Sequence, residues 1–316
     1  MLIDQFDRTL NYLRLSVTDQ CNLRCTYCMP EKGIPLIRPE EIMTKEEILA
    51  IAQAFVDLGV TKIRLTGGEP TLRGDLAEII EALKEMGVEE IALTTNGILL
   101  EDLAATYKAA GLDRVNISLD TLNPDKFAKI TRGGDLSRVF KGIEKALEVG
   151  LDPIKINVVL MRGFNDDEID QLIDQTKDPR IHVRFIELMP MGPVMDNKAG
   201  FMPVSEVIAS YPDLIEQISD DHSVARRFKR PGYGGTVGFI NPVSCNFCAD
   251  CNRIRVSASG NLRLCLHSGE IGNLKPFVSE PNLLKAKIKE WVALKPKSHR
   301  LDVKSEAGTN MNEIGG

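Results

Sequence analysis

The sequence lacks long hydrophobic runs and has few aromatic residues. No run approaches the ~18 apolar residues of a membrane span, and Met1 to Leu10 is polar rather than a signal peptide. Aromatic residues make up 5% of the 316 residues, and the net charge is −6. These values argue against a base-stacking platform and a general nucleic-acid binder. We therefore expect a cytoplasmic protein that binds neither membranes nor nucleic acid.

Cysteine is absent from the whole stretch between Cys28 and Cys245, so the seven cysteines form two clusters near opposite ends of the chain. Disulfides are rare in a reducing compartment, and an odd number of cysteines is a poor disulfide framework. Clustered thiols at short spacing indicate metal ligands instead.

Strand-like and helix-like segments alternate over the first two thirds of the chain, and 43% hydrophobic residues supply a sizeable core. Strands are predicted at Tyr12–Val17, Lys62–Thr66, Ile91–Thr95, Arg114–Leu119, Lys155–Val159 and Ile181–Ile186. Helices are predicted at Thr44–Leu58, Asp75–Met86, Leu99–Ala110, Leu136–Val149 and Asp166–Thr176. Strands with crossover helices predict a parallel sheet.

Apolar and polar residues alternate along these strands, whereas a closed eight-stranded barrel fills its interior with apolar side chains. The polar positions are often cationic. The cations that share one strand parity are Arg14, Lys62, Arg64, Lys155 and Arg184. We therefore predict an α/β fold, an incomplete (β/α)6 TIM-type barrel with a wet interior that attracts an anion.

The character of the chain changes after Pro190, where glycine and proline become frequent. We predict a partial barrel over residues 1–190 and a C-terminal α+β lobe over 191–316 that closes the open side. Within the lobe, Pro203–Ser210 has weak helix signals and 281–294 reads as an amphipathic helix.

The N-terminal cysteines Cys21, Cys25 and Cys28 have the spacing C-x3-C-x2-C directly after the first predicted strand. Three thiolates on one short loop can hold three irons of a [4Fe–4S] cluster and leave the fourth iron open. A zinc knuckle would need a fourth ligand from the distant C-terminal cysteines.

This motif, followed by Gly67-Gly68-Glu69-Pro70 after the second strand, resembles the radical S-adenosylmethionine (SAM) superfamily. The resemblance implies that SAM chelates the open iron and that an electron from the cluster cleaves SAM to a 5′-deoxyadenosyl radical. It also implies SAM contacts, which match Tyr27, Gly68, Ser118 and Met189.

The C-terminal cysteines Cys248, Cys251 and Cys265 form a second group of three, and Cys245 adds a possible fourth ligand. Spacing alone leaves a zinc ribbon, a fully ligated cluster and a second open cluster as alternatives.

The string Phe247–Leu266 and several earlier and later stretches resemble the GTP 3′,8-cyclase family of molybdenum cofactor biosynthesis, over essentially the whole chain. The resemblance implies a second [4Fe–4S] cluster on Cys248, Cys251 and Cys265 that binds guanine, with Cys245 as a bystander. The GTP contacts that it implies are Arg14, Lys62, Arg64, Thr95, Lys155, Arg253 and Arg255. It also implies that Gly315 and Gly316 reach into the active site.

By this resemblance, GTP and SAM are converted to (8S)-3′,8-cyclo-7,8-dihydroguanosine 5′-triphosphate. It also implies a homodimer, a flavodoxin or ferredoxin type of electron donor, and transfer of the product to cyclic pyranopterin monophosphate synthase. Two other hypotheses are a peptide-modifying radical SAM enzyme with an auxiliary cluster and a zinc-stabilised scaffold that binds nucleic acid.

Overall fold

The computed structural model describes residues 1–194, 199–218, 224–244 and 248–299. In the first part of the chain, strands and helices alternate. These elements are β1 (Tyr12–Ser16), α1 (Lys45–Asp57), β2 (Lys62–Thr66), α2 (Leu76–Glu85), β3 (Glu90–Thr95), α3 (Leu100–Ala109), β4 (Arg114–Ser118), α4 (Pro124–Thr131), α5 (Leu136–Glu148), β5 (Ile154–Leu160), α6 (Ile169–Asp174) and β6 (Ile181–Glu187).

The described ranges of the later part contain shorter strands and two helices. These elements are α7 (Val204–Ser210), β7 (Ile215–Gln217), β8 (Arg226–Lys229), β9 (Val237–Ile240), β10 (Arg253–Val256), β11 (Asn261–Arg263), β12 (Gly272–Asn273) and α8 (Pro281–Val292). Both helices predicted here from sequence are confirmed.

Local sequence signals account for most of the elements of the first part. The six predicted strands are confirmed, and α1 begins with the predicted capping box, in which Thr44 and Glu47 bond reciprocally. The prediction misses α4, although Asn123 caps it and Pro124 opens it, which is a recognisable start signal. The helix predicted at 166–176 is shorter, since α6 begins only at Ile169 and a 3-10 turn follows it.

One sheet crosses the whole described chain, in the order β12-β11-β10-β1-β2-β3-β4-β5-β6-β9-β8-β7. The eight strands from β10 to β9 are parallel, and antiparallel strands follow at each edge. The described strands do not close into a ring, so the incomplete barrel is confirmed. C-terminal strands extend both edges of the six-stranded core, and the division at residue 190 stays a prediction.

The two faces of the parallel strands differ in chemistry. Leu13, Leu15, Ile63 and Leu65 point to the outer face and are fully buried in the main hydrophobic core. The alternate positions point to the inner face, which is the face that the sequence predicts to be polar. Burial of the outer face against helices leaves the inner face for a ligand.

None of the helices in the described ranges is long and apolar enough to cross a membrane. The cytoplasmic location expected from the sequence stays a prediction.

Candidate active site

The strand register brings most of the predicted cations onto the inner face. Arg14 lies beside Arg64 on β2 and beside Arg255 on β10. On the far side, Lys155 lies next to His182, and the next inner position on β6 is Arg184. Paired residues of parallel strands point to the same face, so these six side chains share one interior.

Arg114 is a further interior cation, which the sequence analysis did not single out. It pairs in register with Ala92, which in turn pairs with Arg64. Its Nε donates to Glu90 Oε1 at 2.8 Å, and its Nη1 donates to Asn116 Oδ1 at 3.0 Å. The two-residue alternation of β4 was the signal that could have identified it.

Lys62 lies at the amino end of β2, and its Nζ is 3.5 Å from Glu90 Oε2. Its side chain is 45% exposed, so it occupies the rim of the interior rather than its centre. Its predicted role at a triphosphate stays a prediction.

Burial and mutual repulsion lower the pKa values of the interior cations. Burial, followed by repulsion from Arg184, Arg114 and Arg64, lowers the pKa of Lys155 to about 6. Burial and the same kind of repulsion lower the pKa of Arg184 to about 9. An anion bound among these groups would relieve this repulsion.

Buried polar atoms without a hydrogen-bond partner among the described residues collect on the same face. Those on this face, which are six of the buried unpaired atoms in the described residues, are Tyr12 OH, Arg14 Nε, Arg64 Nε, Thr94 Oγ1, Asn116 Nδ2 and Asn157 Oδ1. Leaving such an atom unsatisfied costs about 1–3 kcal/mol. The interior therefore fits a ligand that is both anionic and rich in hydrogen-bonding groups.

Thr95 lies on the opposite strand parity from these groups. Its Oγ1 donates to Glu69 Oε1 at 2.7 Å, and the Asn96 amide donates to Glu69 Oε2 at 2.7 Å. Thr94 occupies the interior position instead. The predicted contact of Thr95 with GTP stays a prediction.

The first cysteine triad (Cys21, Cys25 and Cys28) lies on the loop after β1, at the carboxyl end of the parallel strands. The loop is held by α4, because the Arg24 amide donates to Thr131 O and the Thr26 amide donates to Ile130 O.

Gly67 and Gly68 allow the turn after β2 to lie against this loop. A Cβ at Gly67 would come within 2.3 Å of Thr18 O, and one at Gly68 would come within 2.2 Å of Gln20 O. Contacts this short are sterically impossible, so only glycine permits this approach. The glycines of the predicted motif therefore fix the cysteine loop beside β2.

Acidic groups surround the first triad. Burial raises the pKa of Cys21 to about 11, and Glu69 adds to the effect. Burial followed by Asp120 raises the pKa of Cys25 well above its usual range. Asp120 also accepts a hydrogen bond from Tyr27 OH at 2.8 Å.

The four predicted SAM-contact residues all lie near the carboxyl ends of strands. Tyr27 is on the first cysteine loop, Gly68 follows β2, Ser118 ends β4 and Met189 follows β6. Met189 packs against Met191 beside Leu266. The structure thus groups them at one end of the sheet, while their contact with SAM stays a prediction.

The second cysteine triad (Cys248, Cys251 and Cys265) lies at the other end. Cys248 and Cys251 directly precede β10, and Cys265 follows β11, which is antiparallel to β10. This topology places the second triad at the amino ends of the parallel strands. The interior cations lie between the two triads.

Cations lie beside Cys251 of the second triad. Burial acts to raise the pKa of Cys251, but Arg253 and Lys295 outweigh it and lower that pKa to about 7. Arg253 Nη2 lies 3.6 Å from Cys251 Sγ. Arg253 and Arg255 follow on the same strand parity, and β10 directs them to the inner face.

The donor set of each triad fits an iron–sulfur cluster. In the described part of the chain, no three His, Cys, Asp or Glu side chains converge closely enough to hold one metal ion. A cluster does not need such convergence, since each thiolate binds a different iron. Cys245, Gly315 and Gly316 lie outside the described residues, so their predicted roles stay predictions.

Two family models match the chain. Residues 15–176 match the radical SAM superfamily, and residues 181–301 match the Molybdenum Cofactor Synthesis C family.

Curated relatives match over nearly the full length. The GTP 3′,8-cyclase of Alkaliphilus oremlandii is 45% identical and covers 99% of both chains. The enzyme of the same name from Clostridium botulinum strain Hall is 46% identical over all of both chains. That of Peptoclostridium acidaminophilum is 47% identical, covering all of this chain and 98% of the relative.

Solved structures with a similar fold are more distant in sequence. Streptococcus suis SuiB bound to precursor peptide SuiA matches with a TM-score of 0.59 at 14% identity, covering 97% of this chain and 75% of that chain. The structure of anSMEcpe with bound AdoMet matches with a TM-score of 0.54 at 15% identity, covering 96% and 89%. At this identity the matches show the fold alone.

Proposed function

We propose, from the premise that this chain belongs to the GTP 3′,8-cyclase family of the radical SAM superfamily, that it catalyses that reaction. It converts GTP and SAM to (8S)-3′,8-cyclo-7,8-dihydroguanosine 5′-triphosphate, 5′-deoxyadenosine and methionine. The C-terminal family match assigns this step to molybdenum cofactor biosynthesis.

The cationic interior between the two cysteine triads is the observation that carries this proposal. Arginine binds phosphate through paired hydrogen bonds, and lysine adds a compact positive charge. The protein is acidic overall, yet these cations lie together on one buried face beside unsatisfied polar atoms. This arrangement suits the binding of a polyanion such as a nucleoside triphosphate.

SAM and one [4Fe–4S] cluster follow from the family, and Cys21, Cys25 and Cys28 fit the cluster's three protein ligands. When bound, this cluster supplies the electron that cleaves SAM to a 5′-deoxyadenosyl radical. The chain's own task at this end is to position the loop, through Gly67 and Gly68, and to bind SAM through Tyr27, Gly68, Ser118 and Met189.

The interior residues bind and orient the nucleotide. Those that we assign to GTP are Arg14, Arg64, Lys155, Arg253 and Arg255, with Arg114 added from the strand register. Lys62 at the rim and Thr95 on the opposite strand parity stay predicted GTP contacts. Holding GTP and SAM in one interior shields a reactive radical from water and keeps the target C–H bond in place.

The second triad, Cys248, Cys251 and Cys265, holds a second [4Fe–4S] cluster in this proposal, with one iron open to guanine. Cys245 is a bystander, and Gly315 and Gly316 complete the active site. A homodimer, a flavodoxin or ferredoxin type of donor, and product transfer to cyclic pyranopterin monophosphate synthase also stay predictions.

The peptide-modifying alternative has weaker support. The similarity to a peptide-bound structure is at 14% identity, and a peptide substrate does not require a buried set of cations. The hypothesis of a zinc-stabilised scaffold has no support, because members of the radical SAM superfamily hold an iron–sulfur cluster.

Anaerobic incubation with GTP, SAM and a strong reductant, followed by mass analysis, tests the function. We expect the cyclised triphosphate and 5′-deoxyadenosine together, from protein that contains about eight irons with matching sulfide. Formation of 5′-deoxyadenosine without any modified nucleotide, or failure of the protein to bind GTP, would contradict the assignment.

A further inference from the structure

Lys295 is a buried cation beside the second triad. It follows α8 and is 2% exposed. Its Nζ donates to Arg253 O at 2.9 Å and to Leu264 O. These carbonyls flank the triad, since Arg253 is two residues after Cys251 and Leu264 directly precedes Cys265.

Arg8 anchors the segment that carries Lys295. Its Nη1 donates to Cys248 O at 2.7 Å, and its Nη2 donates to Pro296 O at 2.7 Å. The charge of Arg8 is compensated by Asp4, whose Oδ2 lies 2.6 Å from Nε. Arg8 therefore fixes the distance between Lys295 and the triad without itself carrying an unbalanced charge.

The charge of Lys295 has no such compensation from a carboxylate. Across the described ranges it forms no ion pair with Asp or Glu. Burial lowers the pKa of Lys295, and the neighbours that oppose this shift are Cys251 and Cys265 of the second triad. Burying an ammonium is costly unless an anion balances it. The carbonyl dipoles of Arg253 and Leu264 compensate only part of the charge of Lys295.

A cluster on the second triad would supply the missing negative charge. Three thiolates outweigh the positive charge of a [4Fe–4S] core, so the assembly is an anion, and one-electron reduction makes it more negative. Three neutral thiols would leave the ammonium uncompensated.

We propose that Lys295 is the fixed countercharge of the second cluster and, as a positioning residue held by Arg8, raises that cluster's reduction potential. The inference rests on the second cluster of the proposed function. Its physical basis is that a nearby positive charge stabilises the reduced, more negative form more than the oxidised form.

The test uses full-length protein in which Cys21, Cys25 and Cys28 are all replaced by Ser, so that only the second triad can bind a cluster. After anaerobic reconstitution with iron and sulfide, titanium(III) citrate supplies the electron, and paramagnetic resonance reports the reduced cluster. We expect Lys295→Met to make reduction about tenfold less favourable, about 59 mV for a one-electron couple. Lys295→Arg keeps the charge and should keep the parent potential.

Lys289→Met is the matched control, because Lys289 is an exposed lysine on α8. An unchanged potential in Lys295→Met, or an equal shift in Lys295→Arg, would overturn the proposal. If Lys295→Met binds no iron, Lys295→Arg must still bind it, since loss in both variants means that charge is not the cause. Failure of the parent protein to bind about four irons would instead refute the second cluster itself.

Discussion

The two cysteine triads present equal numbers of thiols in opposite electrostatic surroundings. At the first triad, burial together with Glu69 raises the pKa of Cys21 to about 11. At the second, Arg253 and Lys295 overcome burial and lower the pKa of Cys251 to about 7. Cys21 and Cys25 thus lie in an acidic environment at one end of the sheet, and Cys251 lies in a basic environment at the other.

The difference matches the two molecules that the proposed reaction brings together. SAM carries a positively charged sulfonium, and in this proposal the acidic groups Glu69 and Asp120 favour its binding at the first triad. GTP is a polyanion, which Arg253, Arg255 and the interior cations stabilise. In this proposal, the two ends of one interior therefore differ in charge in the same way as the two molecules that bind there.

The largest expected effect comes from removing one thiol at each end. Cys25→Ser should reduce 5′-deoxyadenosine formation to background while GTP still binds, because only the first triad serves SAM. Cys251→Ser should weaken GTP binding while some 5′-deoxyadenosine still forms. Product analysis and GTP titration of both variants measure these effects. Identical losses of 5′-deoxyadenosine formation and of GTP binding in the two variants would contradict separate roles for the two triads.

A smaller effect is expected from one interior arginine. Arg255→Gln should reduce GTP affinity at least about 30-fold, since removing a buried charged partner costs about 2–5 kcal/mol. SAM affinity should stay unchanged. Equilibrium titration with each ligand measures both.

Arg138→Gln is the control for this variant, because Arg138 lies on the exposed side of α5 and pairs with Asp102. A parallel loss of SAM affinity in Arg255→Gln would show general damage rather than loss of a nucleotide contact.

The smallest expected effect is a pH dependence confined to the basic end. Lys155, with a pKa of about 6, is largely neutral at pH 8, and a bound triphosphate favours its protonated form. GTP binding should therefore take up a proton, and affinity should fall up to about tenfold per pH unit between about pH 7.5 and 9. The terminal phosphate is already ionised there.

Calorimetry in buffers of different ionisation enthalpy measures the proton uptake. Lys155→Met should remove most of the uptake near pH 8, where Arg184, with a pKa of about 9, is still largely protonated, and SAM binding should show none. Uptake that persists in Lys155→Met would assign the proton to another group.

Local patterns predicted the architecture well because each element carries its own signal. Thr44 and Glu47 mark the start of α1, and the alternation of β1 identifies Arg14 as an inner-face residue before any contact is known. Arg114 was missed although it shares the strand parity of Asn116 and Ser118 on β4. Its importance follows from Glu90, 24 residues earlier, which orients it.

The sequence by itself determined the parity of the strands, the positions of the glycines and the two groups of thiols, since these depend on residues close together in the chain. Only the tertiary structure decided which charges face which thiols. Arg8 reaches Cys248 across 240 residues and Pro296 across 288. Charge interactions depend on distance in space, and no local pattern encodes which distant segments the folded sheet brings together.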